Sequence, residues 1–336
     1  MDLGDRRHAV CVLDESGEIL KEGTIPNERG QLEAMARSYQ GATVAIEAGT
    51  HSPWISRFLT KHGMHVLVAN ARKTRAIYKN ERKSDRIDAM MLARIARMDP
   101  ELLCPIEHCS EQAQEDMLQI KLRDSLVRSR VDMINAVRFT LKSLGYAVSN
   151  PSSERFHKQV IHEVPESIRE VIAHNVAAIA ELTAQIKALD AAISKLAAER
   201  YPETIYLQQV GGVGPLTALY FVLKVESPER FERTRDIGAF LGLCPKRDQS
   251  GETDKELRIS KSGDRYLRRL LVSAAQYILG PFGPQSALRD YGMRLAEAGT
   301  AKAKKRAVVA VARKLAVLLL SLWKSRQPYE PFPAMS

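Results

Sequence analysis

The rhythm of apolar and polar positions changes several times along this chain, and each change marks a different kind of element. From residue 9, AVCVLD alternates, the turn residues ESGE follow, and ILKEGTI alternates again, which predicts a β-hairpin. RGQLEAMARSYQ (29–40) repeats its apolar residues at helical spacing. TVAIEAG (43–49) is a short apolar run ended by glycine, SPWISRFLTKHG (52–63) reads as a helix stopped by glycine, and HVLVANA (65–71) reads as a second buried strand. A hairpin followed by alternating strands and helices predicts an α/β layer.

Beyond about residue 110 the strand signals stop, and two long helical stretches are expected on either side of a loop around YAVSNPSSERF (146–156). The first carries an apolar stripe of Leu118, Leu122, Leu126, Met133, Val137, Leu141 and Leu144. In the second, Ile172, Ile179, Ile186 and Ile193 recur every seven residues, interleaved with Leu182, Leu189 and Leu196. Ile at a and Leu at d is a coiled-coil pattern that leans toward two strands. The same two stripes also suit an antiparallel pair within one chain, and the pattern alone does not separate the two arrangements. Farther on, LQQVGGVGPLTALYFVLKV (207–225) sets a GVGP turn between two apolar helical segments, resembling a helix-hairpin-helix whose glycines let backbone N–H groups approach a phosphate.

Charge adds a partner to this outline. Lys and Arg number 50 against 40 Asp and Glu, a formal excess of +10 that favours a polyanion such as nucleic acid over an acidic or neutral surface, although generic solubility also accounts for it. The 336 residues leave room for two or three domains. Four scattered cysteines, Cys11, Cys104, Cys109 and Cys244, are no disulfide framework, and Cys104, His108 and Cys109 lack a second ligand pair at zinc-like spacing. With no apolar signal core in MDLGDRRHAV, and LAVLLLSLW (315–323) too short to span a bilayer, the expectation is a soluble cytoplasmic protein without membrane association.

Four acids stand out against this basic background. Asp2 precedes the first hairpin, Glu47 ends an apolar strand, and Asp85 and Asp88 lie three apart in KSDRIDAMMLARIA, on one face at a helix start. Carboxylates gathered at strand ends and a helix start suit Mg²⁺, which binds oxygen and keeps positions open for water and phosphate. Aspartates at a helix start also stabilise its dipole, and the pair alone does not decide between the two uses. ARKTRAIYKNERKSDR (71–86) brings Arg72, Lys73, Arg75, Arg82 and Lys83 next to the pair, enough cation to draw phosphates in. Near the other end, Ser250 sits in a Gly-bounded polar loop flanked by Lys246, Arg247 and Arg258, ahead of Lys261 and a basic helix start with Arg265, Arg268 and Arg269. A serine among cations can attack phosphate, with guanidinium groups stabilising the developing charge. The tail KAKKRAVVAVARKLAVLLLSLW (302–323) joins Lys302, Lys304, Lys305 and Arg306 to an apolar stripe, with the cations facing either nucleic acid or solvent.

Taken in order, Asp2, IEAG with Glu47, KSDRIDA, the long helical middle, VGGVGP, FLGLCP, QSG and ISKSGDRYLRRLL resemble the DEDD-type transposases of bacterial insertion sequences, over nearly the whole chain. That resemblance implies an α/β RuvC-like domain of RNase H fold (1–108), an all-α coiled-coil middle (109–203) and a mostly helical C-terminal serine transposase domain with the helix-hairpin-helix-like segment (204–330). It implies a site-specific DNA recombinase with Mg²⁺ held by Asp2, Glu47, Asp85 and Asp88, and with Ser250 forming a covalent phosphoserine link. It further implies donor and target DNA as substrates, a guide (bridge) RNA from the same element, and dimers assembling to a tetramer whose active sites combine RuvC-like and serine domains of different subunits. One departure bears on the metal site: an RNase H fold needs an apolar strand leading to its first aspartate, yet Asp2 directly follows Met1, so either translation starts upstream or the strand is shortened. Ser260 and Ser262 in ISKSG compete with Ser250 for the nucleophile. A RuvC-like nuclease using water, and a nucleic-acid-binding protein without activity, are the alternative functions.

Overall fold

A computed structural model describes residues 1–77, 84–250 and 253–332, and divides the chain into two compact units, Met1–Glu111 and Gln112–Ser336.

In the first unit β1 (Arg7–Leu13) and β2 (Ile19–Pro26) form the expected antiparallel hairpin. Helix α1 (Arg29–Ser38) leads to β3 (Thr43–Glu47), α2 (Ser52–Lys61) and β4 (His65–Ala69), and β3 and β4 pair in parallel. Residues 1–2 join the two strand pairs. Asp2 exchanges both backbone hydrogen bonds with Ala9 (2.9 and 3.0 Å), and the Met1 amino group donates to the Ala45 carbonyl at 2.8 Å. Residues 1–2 thus lie between β1 and β3, bridged to both.

Alternation along β3 and β4 sorts side chains onto two faces. Ile46 and Val68 pack with Leu32, Ala36, Ile55 and Leu59 of α1 and α2. Ala45 and Ala69 face the other way, onto Leu92 and Ile95 of α4 (Asp85–Met98). Between β4 and α4 lies α3 (Ala71–Ile77). Ala89 of α4 is buried against Ala9 and Cys11 of β1, so this helix lies across both strand pairs, over the slot that residues 1–2 fill. Small side chains at 9, 45, 69 and 89 let the helix approach closely.

The second unit opens with α5 (Glu111–Ser143) and, after the short α6 (Phe156–Gln159), α7 (Glu166–Arg200). They run antiparallel. Arg123 pairs with Asp190 (2.7 Å), Arg130 donates to Thr183 (3.3 Å), Arg200 pairs with Asp116 (2.9 Å), and Val137 and Leu141 share a core with Ile172 and Ile179. The heptad isoleucines 172, 179, 186 and 193 are all buried within this single chain. On α5 the buried face is Ala113, Met117, Ile120, Ile134, Val137 and Leu141 rather than the whole stripe expected from sequence, because Leu118, Leu122 and Leu144 are exposed.

Next come α8 (Thr204–Gln208) and α9 (Pro215–Val225), joined by the GGVG turn. Two of its glycines have packing reasons: a Cβ on Gly211 would meet Pro284 at 2.4 Å, and Gly212 has φ +86° beside Tyr277. The short α10 (Ile237–Phe240) precedes an antiparallel hairpin of β5 (Pro245–Ser250) and β6 (Thr253–Ile259). This hairpin corrects the expectation that strands end near residue 110. PKRDQS and TDKELRI are polar or charged at nearly every position, so no apolar alternation announces them. Helices α11 (Arg265–Leu279), α12 (Ala287–Ala296) and α13 (Ala301–Ser325) complete the unit, with Leu271, Ala275, Val311, Leu315 and Leu319 fully buried.

Candidate functional site: four carboxylates around a two-residue strand

The four acids reach one region from separate segments. Asp2 is bridged to Ala9 of β1, Glu47 closes β3, and Asp85 and Asp88 occupy the first turn of α4, which packs over both strands. Helix α4 starts where it does because Ser84 caps it, its hydroxyl accepting from the Ile87 N–H at 3.3 Å. Asp88 and Glu47 are half-buried, and Asp85 is exposed.

Their charges reach Asp2. Burial first, then the charges of Asp85 and Asp88, and more weakly that of Glu47, push its carboxyl above the usual aspartate range, against the pull of the nearby amino terminus. Burial also pulls the Met1 amino group down to about 6. An all-oxygen carboxylate set is the kind that suits a hard divalent ion. Among the described residues no three acidic, His or Cys side chains close to metal-ligating distance, so the acids form an open cluster.

Side chains not singled out by the sequence reading hold the loop behind Asp2. His8 is fully buried, its Nδ1 accepting from the Gly4 N–H (3.3 Å), so the ring proton sits on Nε2 and is donated to Asn27 Oδ1 (3.1 Å). Asn27 Nδ2 donates in turn to the Asp5 carbonyl at 3.0 Å, and His51 contacts the Asp5 carboxylate at 2.9 Å. A lone histidine carries no positional signal in sequence, so only the fold reveals this clip. His108, once a metal candidate with Cys104 and Cys109, instead meets the buried Ser52 hydroxyl at 2.9 Å.

The expected nucleic-acid contacts sort into several groups. Lys73, Lys246, Arg247, Arg258, Lys261 and Arg265 are exposed, as is Arg72 on α3. Arg86, by contrast, is tied to Glu22 of β2, with Nε at 2.8 Å from the carboxylate. Arg268 is engaged internally, donating to the Leu241 and Gly263 carbonyls at 2.9 Å each, and Arg269 pairs with Asp124 over the ring of Tyr266. Arg82 and Lys83 lie outside the described residues, and so do the side chains of Arg75 and Ser250. Ser250 is the last residue of β5. The rival serines, Ser260 and Ser262, hydrogen-bond each other at 3.0 Å in a loop pressed backbone to backbone against 240–242: a Cβ on Gly263 would come within 2.0 Å of the Phe240 carbonyl.

Comparison with known proteins gives the arrangement a context. Residues 1–145 match the DEDD transposase family model of the IS110 group, described as a transposase, and residues 205–292 match a model described as "Transposase IS116/IS110/IS902 family". The transposase for insertion sequence element IS1111A of Coxiella burnetii is 25% identical over 98% of this chain and 90% of its own length. The transposase for insertion sequence element IS1328 of Yersinia enterocolitica is 26% identical over 82% of each. DEDD-type transposases are metal-dependent as a family, which agrees with an acid cluster that repels itself. With both family regions present in the same order, and the four acids gathered in the first of them, the chain belongs to the IS110/IS116 family of insertion-sequence transposases and is a DNA transposase.

Proposed function

We propose that this transposase is a Mg²⁺-dependent, RNA-guided DNA recombinase in which Asp2, Glu47, Asp85 and Asp88 hold the ion and Ser250 is the nucleophile. The observation that carries the reading is the convergence of four carboxylates on the Asp2 strand, felt by Asp2 as repulsion. Asp2, Glu47, Asp85 and Asp88 would hold Mg²⁺, which when bound would supply charge neutralisation and polarisation at a DNA phosphate. Exposed cations on α3, Arg72 and Lys73, and those on the β5–β6 hairpin of another subunit's serine domain, Lys246, Arg247 and Arg258, draw the phosphodiester in and offset its charge. The Ser250 oxygen forms a bond to phosphorus as the bond from phosphorus to one deoxyribose oxygen breaks. The link is later reversed by a deoxyribose hydroxyl of the strand to be joined, which restores the serine. His8 and Asn27 take no part in bond making and keep the turn after Asp2 in place.

The functional division follows the three segments 1–108, 109–203 and 204–330, with the helical middle serving dimer and tetramer assembly through coiled-coil contacts and a bridge RNA selecting donor and target DNA. In this reading the buried Ile seam of α7 is already used by α5, so assembly falls to exposed residues such as Leu118 and Leu122. Cytoplasmic DNA is the site of action. Among the described residues no helix is long and apolar enough to cross a membrane.

The test is strand cleavage of element-end DNA with the cognate RNA in Mg²⁺, comparing wild type with Asp2→Asn, Glu47→Gln, Asp85→Asn and Asp88→Asn. Each variant is expected to fall to background. Wild-type cleavage by Asp2→Asn or Asp88→Asn would remove the four-acid site.

A further inference from the structure

The charge pattern at the start of α13 runs against the helix it belongs to. Lys302, Lys304, Lys305 and Arg306 crowd the first turns, the first turn carries no acid, and Thr300 caps the end by accepting from the Ala303 N–H at 3.1 Å. A helix N-terminus already carries partial positive charge, and cations at i, i+3 and i+4 also repel one another. All four side chains are exposed, and among the described residues none of them makes an ion pair. The nearest acid in the preceding turn, Glu297, makes no ion pair with them. Folding alone gives no reason to gather charge there.

The helix continues the pattern. Positions 302, 306 and 313, spaced by four and seven, share one face, with Lys305 at its flank. Arg313 is exposed and runs beside Gly238 and Cys244: a Cβ on Gly238 would lie 3.1 Å from Arg313 Nε and 3.3 Å from Cys244 Sγ. Beyond Arg313 this face is covered, since Ala316 and Leu320 are fully buried. The cationic stripe thus begins at the free end of the helix and stops beside Cys244, immediately before β5, which starts at Pro245 and ends at Ser250. The eleven residue steps from Lys302 to Arg313 span roughly 16 Å, about five base-pair steps of duplex DNA.

We propose that the outward face of α13, formed by Lys302, Lys305, Arg306 and Arg313, is a phosphate track that leads duplex DNA toward the base of the β5–β6 hairpin. The proposal rests on the reading of this chain as a DNA recombinase and adds a binding surface to it. Charge complementarity supplies the partner: a row of unpaired cations at a spacing of successive turns fits a regular line of phosphates better than a compact anion.

The experiment is fluorescence anisotropy of a labelled non-specific duplex with the full-length protein in EDTA, over a series of salt concentrations. It compares wild type, K302Q/K305Q/R306Q, and that triple variant with R313Q added, and follows thermal unfolding of each. The triple variant is expected to lower the slope of log Kd against log salt by roughly 2–3, at about 0.9 per phosphate contact, and to weaken binding at least about tenfold. Adding R313Q lowers both further. The triple variant's Tm should hold or rise, because the removed charges oppose the helix dipole. An unchanged slope would overturn the proposal, as would a loss of affinity for an RNA hairpin with duplex affinity intact, or a fall in Tm of the triple variant that marks these cations as structural. Binding in EDTA is read without the metal the acid cluster would hold, so a failure of the four-acid reading would leave this result standing.

Discussion

Asp116 gives the sharpest test of how the helical unit is held in register. Its carboxylate is buried and takes its main partners from 84 and 85 residues away, accepting from Arg200 Nη1 at 2.9 Å and from the Tyr201 hydroxyl at 2.5 Å, with Gln112 at 3.4 Å contributing little. It fixes where α7 ends against the first turns of α5. Burial, and then the bond to Asp116, push the Tyr201 hydroxyl well above its usual pKa, so it remains a donor at all working pH. A hydrogen bond to a charged acceptor is worth about 1.5–3 kcal/mol, and the half-exposed Arg200 pair adds about 0–1 kcal/mol after solvent screening. Asp116→Ala should therefore cost about 2–4 kcal/mol, and Asp116→Asn about half of that, because the amide oxygen still accepts from Tyr201. The chain has two tryptophans, Trp54 in the first unit and Trp323 in α13, so urea unfolding followed by Trp323 fluorescence in a Trp54→Phe background reads the second unit alone. A loss below about 0.5 kcal/mol for Asp116→Ala, or equal losses for Ala and Asn, would refute this account of the contact.

Three further outcomes follow from the same structure. Burial lowers the pKa of His8, so its folded value lies below its unfolded one; the stability it contributes is complete above the ordinary histidine range and is lost as pH falls through the lowered value. Trp54-monitored unfolding should show the first unit weakening below about pH 6.5, and His8→Asn should flatten that dependence. Gly263→Ala must move the 240–242 backbone and should destabilise the second unit by about 2 kcal/mol or more, whereas Gly214→Ala, with open space around its Cβ, should stay within about 1 kcal/mol of wild type by the same assay. Asp88→Asn, by relieving repulsion on Asp2, should leave the metal-free first unit as stable as wild type or a few tenths of a kcal/mol more so while abolishing cleavage, a split that denaturation and activity assays measure separately.

Much of the first unit was legible because each of its elements has one apolar face and a clear stop. The β1–β2 hairpin, β3, α2 and β4 fall within a few residues of their predicted spans, and the acid pair does open a capped helix. The role of residues 1–2 was hidden, since two residues have no periodicity and only pairing with Ala9 and Ala45 gives them a place. On α5 the buried face mixes Asp116 and Arg130 with apolar residues, so a purely hydrophobic reading chose Leu118 and Leu122, which point outward. On α7 the four heptad isoleucines are buried while Leu182, Leu189 and Leu196 are half-buried, and only the structure shows α5 against this face. Arg268 and Arg269 look like DNA ligands in sequence, and only the Leu241, Gly263 and Asp124 contacts reveal what they hold. Arg313 lies inside an apolar stripe of the sequence, and only its place beside Gly238 and Cys244 marks it out.

The central claim is that a serine attacks DNA under the control of the acid cluster. A denaturing gel of the protein incubated with its element's RNA, end-labelled donor and target DNA and Mg²⁺ tests it directly, using wild type, Ser250→Ala and Asp85→Ala. The account predicts a DNA-linked protein band for wild type that both variants lose. Cleavage that survives in Ser250→Ala, with no protein-linked band in any lane, would contradict it and make the chain a hydrolytic nuclease.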